Sequence, residues 1–238
     1  NLNIDNQLVV IKTPKNNKFL AVIDIEKEFI TNEGKFKFSK VKNIPSIVKT
    51  STGVIFKIYK PTYKEFVLLM KRGPQIIYPK DVAQIVLELN IHNSSNVLEI
   101  GSGSGALTLY LYTLLKNTGK LYSLDSSKIN QRRANKTISR YISTLSEENN
   151  DITFLNEELV NFNYKTLNEK INSIITDVPE PWEFFTNNKI ENSIHWVSYL
   201  PSMTQVMRMN DTLKDEQFQD IEIKEVILRD WVVDEKIV

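Results

Sequence analysis

Asn96-Val-Leu-Glu-Ile-Gly-Ser-Gly-Ser-Gly-Ala-Leu107 is the stretch that decides the fold of this chain. Its first five residues form an apolar run around one acid, Glu99, as is typical of a strand buried on both faces of a parallel sheet. Glycines then alternate at 101, 103 and 105, where a Cβ would obstruct a tight turn and the close approach of a ligand. A helical pattern begins at Ala106. The stretch therefore predicts a strand, a glycine turn and a helix, the unit that holds a nucleotide-like ligand at a helix N-terminus.

Two classes of cofactor use this unit, and the acid favours one of them. Gly101-Ser-Gly-Ser-Gly-Ala106 also fits the loose dinucleotide pattern. Glu99 would repel the phosphates of a dinucleotide, whereas its carboxylate suits the sulfonium and amino group of S-adenosylmethionine. The next predicted strand ends in Asp125, which can accept both hydroxyls of the ribose that either cofactor carries. We favour S-adenosylmethionine, with a dinucleotide as the alternative and a turn that binds nothing as the least favoured interpretation.

The composition excludes several kinds of chemistry. The chain has no cysteine, which excludes disulfides, thiolate metal sites and cysteine nucleophiles, and its two histidines offer little for a metal site or a Ser-His-Asp relay. The apolar runs are too short to span a membrane and no signal peptide is visible, so we expect an intracellular protein with no membrane segment. A formal net charge of +1 neither indicates nor excludes a nucleic-acid partner.

The N-terminal quarter of the chain predicts a small β domain over residues 1–60. Short strands are expected at 7–12, 18–24, 35–39 and 53–59, separated by turn residues, which indicates a small β-barrel or sandwich. Its lysines at 35, 37, 40 and 42 either line a rim that contacts a partner or form a solvated edge that discourages aggregation.

After a connecting helix and loop at 61–80, residues 81–238 alternate between helical and strand patterns. Helices are expected at 62–70, 81–89, 104–116, 127–140 and 202–215, and strands at 96–100, 120–125, 151–155, 171–177, 194–200 and 221–228. Repeated strand–helix units indicate an α/β fold with a doubly wound, mostly parallel sheet. Because ligands bind outside the carboxyl ends of such strands, Glu99, Asp125 and Asp177 are expected at one edge.

Ile174-Ile-Thr-Asp-Val-Pro-Glu-Pro-Trp182 is the second informative stretch. Its prolines stiffen the loop and Trp182 offers a stacking surface, so the loop suits a flat heteroaromatic methyl acceptor. A ring nitrogen such as adenine N1 has a free lone pair, and its methylation makes the ring cationic. A fixed Asp177 would accept a hydrogen bond from the exocyclic amine and stabilise that charge. The alternative is that Asp177 only caps the next turn.

Five stretches together resemble the tRNA (adenine-N1)-methyltransferases that modify the T-loop adenosine at position 58. They are residues 70–81, 97–108, 177–182, 199–206 and 225–231. The combination covers nearly the whole chain, whereas many methyltransferases share the glycine loop alone. The resemblance implies a class I S-adenosylmethionine-dependent methyltransferase fold with a small N-terminal β-barrel-like domain, and methyl transfer to adenine N1.

The resemblance also implies roles for individual residues. Asp177 is similar to the catalytic aspartate, and Tyr78 to the tyrosine that lines the target-base pocket. Ile77 would close over the cofactor, Asp125 would contact its ribose, and Glu158 stands where the family has an aspartate near the adenine. The full cofactor-binding set is Ile77, Glu99, Gly101, Ser102, Gly103, Ser104, Gly105, Ala106, Leu107, Asp125, Asn130, Glu158, Leu159 and Asp177.

The implied partners are tRNA and further subunits, in a tetramer that is homomeric or pairs catalytic with non-catalytic subunits. Intact cofactor motifs indicate the catalytic subunit, nuclear in a two-subunit eukaryotic enzyme and otherwise cytoplasmic. Three departures stand out. Asn130 replaces a residue that is often basic, and Asn187-Asn-Lys-Ile-Glu-Asn192 replaces a Pro-Gly-Gly turn. Only seven residues follow Trp231, so we expect a terminal strand of the family's sheet to be truncated or missing from this sequence. The alternatives are a tRNA-binding subunit that needs a partner for activity and a class I methyltransferase with another substrate.

Overall fold

The computed structural model describes residues 4–70, 76–115, 118–143 and 152–231. Two expectations lie partly or wholly outside these residues: the connecting loop of 61–80, at residues 71–75, and the segment after Trp231.

The described residues form eleven strands and five α-helices, numbered in chain order. The strands are β1 Leu8–Lys12, β2 Lys18–Val22, β3 Glu28–Thr31, β4 Gly34–Lys37, β5 Ser46–Lys49, β6 Ile55–Tyr59, β7 Asn96–Ile100, β8 Lys120–Leu124, β9 Ile152–Leu155, β10 Ser173–Thr176 and β11 His195–Ser198. The helices are α1 Tyr63–Leu69, α2 Pro79–Glu88, α3 Ala106–Leu114, α4 Lys128–Ile142 and α5 Met203–Asp215.

The chain forms two compact units that alternate along the sequence. The antiparallel-sheet unit comprises Asn1–Ile76, Ser102–Thr113 and Ser127–Ile152, and the parallel-sheet unit comprises Ile77–Gly101, Leu114–Ser126 and Thr153–Val238. The division into regions 1–60, 61–80 and 81–238 stays a prediction.

The antiparallel-sheet unit is built on a four-stranded sheet in the order β2-β1-β6-β5 and a separate β3-β4 hairpin. The two sheets share one apolar core, which includes Val9, Ile11, Phe36 and Phe56. Two sheets around one core make a sandwich, one of the two predicted forms. The hairpin of β1 and β2 is confirmed, with Leu8 opposite Val22, whereas β3 and β5 were not predicted.

A capping motif in the sequence fixes the N-terminus of helix α1. Thr62 is the N-cap and forms a capping box with Glu65, which satisfies two backbone N–H groups that the first turn leaves unpaired. The Tyr63 hydroxyl then donates to the Ala106 carbonyl at 2.9 Å, and the Phe66 ring packs on Tyr141 in the same unit.

The parallel-sheet unit contains a five-stranded sheet in the order β11-β10-β7-β8-β9. The chain runs outward from β7 through β8 to β9, then returns to the other side of β7 for β10 and β11. This reversal is a topological switch point between β7 and β10, where ligands bind in open α/β sheets. The apolar core of the unit includes Leu98, Leu124, Ile174 and Phe184, so the predicted doubly wound sheet is confirmed.

The predicted edge strand at 221–228 is wrong, since the described residues from 221 to 231 contain no strand. The sequence alternates, but a strand needs a hydrogen-bonding neighbour, and this segment has none among the described strands. It is attached instead through side chains: the Lys80 ammonium donates to the Val226 carbonyl at 2.8 Å, and Lys224 pairs with Glu88 at 2.6 Å. Over the same described residues, no helix has the length and apolarity that crossing a membrane requires.

Candidate active site

Three acids follow or end neighbouring strands of the parallel sheet. Glu99 is opposite Ser123 of β8 and Ile175 of β10, so the three strands are in register at this edge. Asp125 follows β8 and Asp177 follows β10. The Gly101 N–H donates to the Leu124 carbonyl at 2.7 Å, and the Asp177 N–H donates to the Ile100 carbonyl at 2.8 Å. The structure therefore brings the three predicted acids to one sheet edge at the switch point.

Gly101 allows β7 and the Asp177 loop to approach each other. Its φ is +101°, a left-handed conformation, and a Cβ there would lie 2.3 Å from the Asp177 carbonyl oxygen. A side chain at this position would push the two strand ends apart, so glycine is needed for packing within the unit.

The other two glycines of the loop belong to the antiparallel-sheet unit and differ from each other. A Cβ on Gly105 would lie 2.5 Å from the Cα of Ala134 on α4, so this glycine permits close helix packing. A Cβ on Gly103 would meet no atom of the described residues within 4 Å. Packing therefore explains Gly101 and Gly105, whereas at Gly103 the described residues leave room for a side chain or a ligand.

The remaining loop residues are held within the antiparallel-sheet unit. The Gly105 N–H donates to the Ser102 carbonyl at 2.8 Å, and the Thr137 hydroxyl donates to the Ser104 carbonyl at 2.9 Å. Ala106 and Leu107 are buried in the first turn of α3. These bonds fix the loop conformation without using a bound molecule.

Asn130, which stands where the resembled family often has a basic residue, lies in the first turn of α4. Its N–H donates to the side chain of Ser127, the helix N-cap. Arg133 donates from Nη1 to the Asn130 side-chain oxygen at 3.3 Å, so a cation lies one turn further along the helix.

Glu99 is buried and held by the neighbouring strand. The Ser123 hydroxyl donates to Glu99 Oε2 at 2.5 Å, and only 1% of the Glu99 surface is exposed. A charged group this deep in a protein needs bonded partners, and Ser123 supplies one of them.

The loops after β8 and β9 are tied together by a residue that sequence reasoning missed. Asn156 donates from Nδ2 to the carbonyl oxygens of Asp125 and Ser126, each at 2.8 Å. Asp125 is half-buried, Glu158 is exposed and Leu159 is half-buried. Asn156 directly follows β9, as Asp125 directly follows β8. The expectation that site residues follow the carboxyl ends of parallel strands, which we call the edge rule, was therefore sufficient to find it.

Asp177 is mostly buried, and its environment favours the neutral acid. Burial raises the pKa of Asp177 from its ordinary value of 3.8 to about 6. The carboxylate is still the major form at neutral pH, where it carries a charge that the protein has largely desolvated.

The loop after Asp177 is braced by α5. The Gln205 side-chain amide donates to the Pro179 carbonyl at 3.0 Å, and the Arg208 guanidinium lies 3.9 Å from the centre of the Trp182 ring. One face of Trp182 is therefore covered by a cation. An open groove of about 390 Å³ runs along this contact, lined by Pro179, Glu180, Trp182, Thr204, Gln205 and Arg208.

Tyr78 lies in the same unit as Asp177, at the N-cap of α2, and half of its surface is exposed. Ile77 beside it is buried. Tyr199 was not predicted as a site residue, although it directly follows β11 as Asp177 follows β10. Burial raises the pKa of Tyr199, and the nearby charges of Asp81, Asp177 and Tyr78 raise it further. Asp177 and Tyr78 are therefore each close enough to Tyr199 to affect its ionisation.

Residues 187–192, which replace the Pro-Gly-Gly turn of the resembled family, are held in place by the side chain of Asn188. This buried side chain donates to the carbonyl oxygens of Phe162 and Phe184, each at 2.7 Å, and accepts from the Tyr164 N–H at 2.9 Å. An asparagine thus fixes the connection that a Pro-Gly-Gly turn makes in the resembled family.

A parallel sheet with this strand order, a glycine turn after its central strand and acids after the flanking strands define the class I methyltransferase fold. The chain belongs to the family described as the tRNA methyltransferase complex GCD14 subunit, whose model matches residues 54–238. The predicted family and the predicted fold are both confirmed.

Curated relatives are similar over most of the chain. The tRNA (adenine(57)-N(1)/adenine(58)-N(1))-methyltransferase TrmI of Methanocaldococcus jannaschii is 32% identical over 79% of this chain and 74% of its own. The tRNA (adenine(58)-N(1))-methyltransferase TrmI of Thermus thermophilus is 28% identical over 79% and 71%.

Two solved structures share the fold. TrmI of Aquifex aeolicus, a tRNA (m1A58) methyltransferase, has a TM-score of 0.69 at 27% identity and covers 90% of this chain and 83% of its own. A SAM-dependent O-methyltransferase of Thermotoga maritima has a TM-score of 0.83 at 22% identity and covers 96% and 84%. The second likeness concerns the fold alone.

Proposed function

We propose that this chain transfers a methyl group from S-adenosylmethionine to N1 of adenine 58 in tRNA and forms 1-methyladenosine. The observation that carries the proposal is Asp177, a mostly buried carboxylate that directly follows β10 and lies at the switch point between β7 and β10. Family membership and the relatives named for adenine 58 support the substrate. One relative is also named for adenine 57, so mapping of the product has to cover both positions.

The residues present fit S-adenosylmethionine. The described residues leave open space beside Gly103, Glu99 supplies a negative charge two residues before the loop, and half-buried Asp125 can accept the ribose hydroxyls. Ile77, Asn130, Glu158 and Leu159 complete the proposed binding set. When bound, the cofactor supplies an electrophilic methyl group on a sulfonium.

Asp177 would act on the acceptor base. At neutral pH its carboxylate can accept a hydrogen bond from the exocyclic amine of adenine, which orients N1 for attack. As N1 forms the new C–N bond, positive charge develops on the ring, and the fixed carboxylate stabilises it. Because Asp177 is already desolvated, little solvent has to reorganise in the transition state. Tyr78 is half-exposed in the same unit, and its ring offers a surface for the extruded base.

Assembly and location belong to the same proposal. We propose a tetramer, either homomeric or with a non-catalytic homologous subunit, and a nuclear or cytoplasmic location according to whether the enzyme has two kinds of subunit. Native mass spectrometry of the purified chain, alone and with candidate partners, tests the assembly.

The decisive experiment compares Asp177→Ala with the wild-type chain by mass spectrometry of tRNA nucleosides. Removal of one preorganised charge is expected to lower kcat for 1-methyladenosine by about 10²–10³-fold. Asp215→Ala, at an exposed acid near the end of α5, is the matched control and should keep full activity. Undiminished product with Asp177→Ala would rule out the assigned role. A wild-type chain that binds tRNA but no cofactor by calorimetry would favour a binding subunit instead.

A further inference from the structure

One face of the four-stranded antiparallel sheet carries lysines directly beside one another. Lys12 of β1 pairs in register with Lys57 of β6, so their side chains leave the same face about 5 Å apart. Lys49 of β5 lies opposite Ile55, two residues from Lys57, and is therefore a diagonal neighbour of Lys57 on that face. We call Lys12, Lys49 and Lys57 the lysine row.

Helix α1 leaves the lysine row uncovered. Glu65 of α1 pairs with Lys18 at 2.5 Å and accepts from the Tyr59 hydroxyl at 2.9 Å, which covers the neighbouring part of the face. Lys49 and Lys57 are exposed and Lys12 is half-exposed. Across the described residues, no carboxylate forms an ion pair with any lysine of the row.

Protection of sheet edges does not explain Lys12 and Lys57, although Lys49 lies on the edge strand β5. Lysines are common on edge strands because they discourage association, but β1 and β6 are the two central strands of this sheet. Like charges that lie directly opposite each other also destabilise a sheet. The pair of Lys12 and Lys57 therefore opposes folding, and the location of both residues on central strands excludes the simplest structural reason for it.

A polyanion is the partner that removes this repulsion. We propose that the lysine row binds the phosphate backbone of RNA, and the choice of RNA rests on the proposed function. Ile47 and Ile55 lie on the same face, 68% and 45% exposed, and give ribose rings an apolar surface beside the lysines. A second copy of the chain related by a two-fold axis would set lysines against lysines, so self-association through this face is disfavoured.

The test measures binding of an unmodified tRNA transcript to the full chain by fluorescence anisotropy over a series of KCl concentrations. Each lost phosphate contact lowers the slope of log K against log salt by about 0.7–0.9, so Lys12→Gln/Lys49→Gln/Lys57→Gln should lower it by about 2–3. The KM for tRNA should rise while kcat at saturating tRNA stays unchanged. The Tm of this variant should rise by about 1–3 °C because the repulsion is gone.

Two control variants keep the outcome readable. The corresponding triple arginine variant retains the charges and should retain the salt slope. Lys27→Gln removes an exposed lysine of the same unit that pairs with Asp24 at 2.8 Å, and should leave the slope unchanged. Wild-type affinity and slope in the triple glutamine variant would overturn the proposal, as would an equal loss with Lys27→Gln. In either case the face would be a candidate for an acidic protein partner.

The binding measurement is independent of catalysis. If the wild-type chain forms no 1-methyladenosine while the triple glutamine variant still loses tRNA binding, the proposed function fails and the lysine row stands. If the triple glutamine variant forms 1-methyladenosine with the wild-type KM for tRNA, the lysine-row proposal fails and the proposed function stands.

Discussion

Glu65 and Asp177 are two partly buried carboxylates, one in each unit, and the protein treats them in opposite ways. Burial alone would raise the pKa of Glu65, but hydrogen bonds from Lys18, Thr62 and Tyr59 outweigh it and lower the pKa to about 2. Burial raises the pKa of Asp177 to about 6, and no hydrogen bond from the described residues opposes it. Glu65 therefore has its hydrogen-bond partners within the fold, whereas Asp177 has no such partner among the described residues, as its proposed role toward the acceptor base requires.

The two acids therefore respond to pH in opposite directions. Glu65 stabilises the folded state above pH 4.5, and this contribution is lost as the pH falls through about 2. Asp177 takes up its proton more readily when folded, so the folded state is favoured below pH 3.8 and this advantage is lost as the pH rises through about 6. At neutral pH the first acid stabilises the protein and the second destabilises it.

The largest effect on stability is expected at Gly101, which allows the Asp177 loop to lie where it does. Gly101→Ala would force a Cβ to within 2.3 Å of the Asp177 carbonyl oxygen and should cost more than about 3 kcal/mol of unfolding free energy. Gly53→Ala is the matched control, because that glycine has φ +84° but open space around it; its expected cost is about 1–2 kcal/mol. Urea unfolding measures both, and equal costs would show that contact with Asp177 is unimportant.

The next largest effect is a gain in the free energy of unfolding. Asp177→Asn removes a charge that burial disfavours, so at pH 8 this variant should be more stable than wild type by up to about 3 kcal/mol. The gain should shrink towards zero as the pH approaches 3.8, while methyl transfer is lost. Urea unfolding at several pH values tests this. A gain that is independent of pH would mean that the raised pKa is not its cause.

The smallest effect is expected at Glu65. Glu65→Gln loses the ion pair with Lys18 and should destabilise the protein by about 2 kcal/mol at pH 7, a figure reduced for solvent screening around half-exposed Lys18. Wild type should lose this advantage between pH 4.5 and about 2, whereas the variant should not. If both chains respond alike to acid, Glu65 and Asp177 do not form the contrast described above.

The central strands of the parallel sheet could be predicted closely from sequence. β7 matches its predicted bounds and β8 ends one residue early, because apolar runs buried on both faces and a following glycine turn are strong local signals. β3 and β5 were missed because they are four-residue strands with charged or exposed side chains. The strand expected at 221–228 failed because alternation says nothing about whether a neighbouring strand is present.

The candidate site shows the same limit. Glu99, Asp125 and Asp177 were found because the edge rule needs only the order of strands and their last residues. Tyr199 and Asn156 also directly follow strands of this sheet, but their side chains are uncharged and therefore did not indicate contact with a cationic cofactor. The raised pKa of Asp177 and the role of Asn188 depend on burial among distant residues, which a single sequence does not specify.

The glycine loop has unequal tolerance for added bulk, which matters for redesign. At position 101 a new side chain would collide with the Asp177 backbone and displace the loop that carries this acid. At position 103 a Cβ would meet no atom of the described residues within 4 Å, although the φ of +48° still favours glycine. A small polar residue that accepts a left-handed backbone, such as asparagine, at 103 is therefore the place to begin when engineering preference for a trimmed methyl-donor analogue.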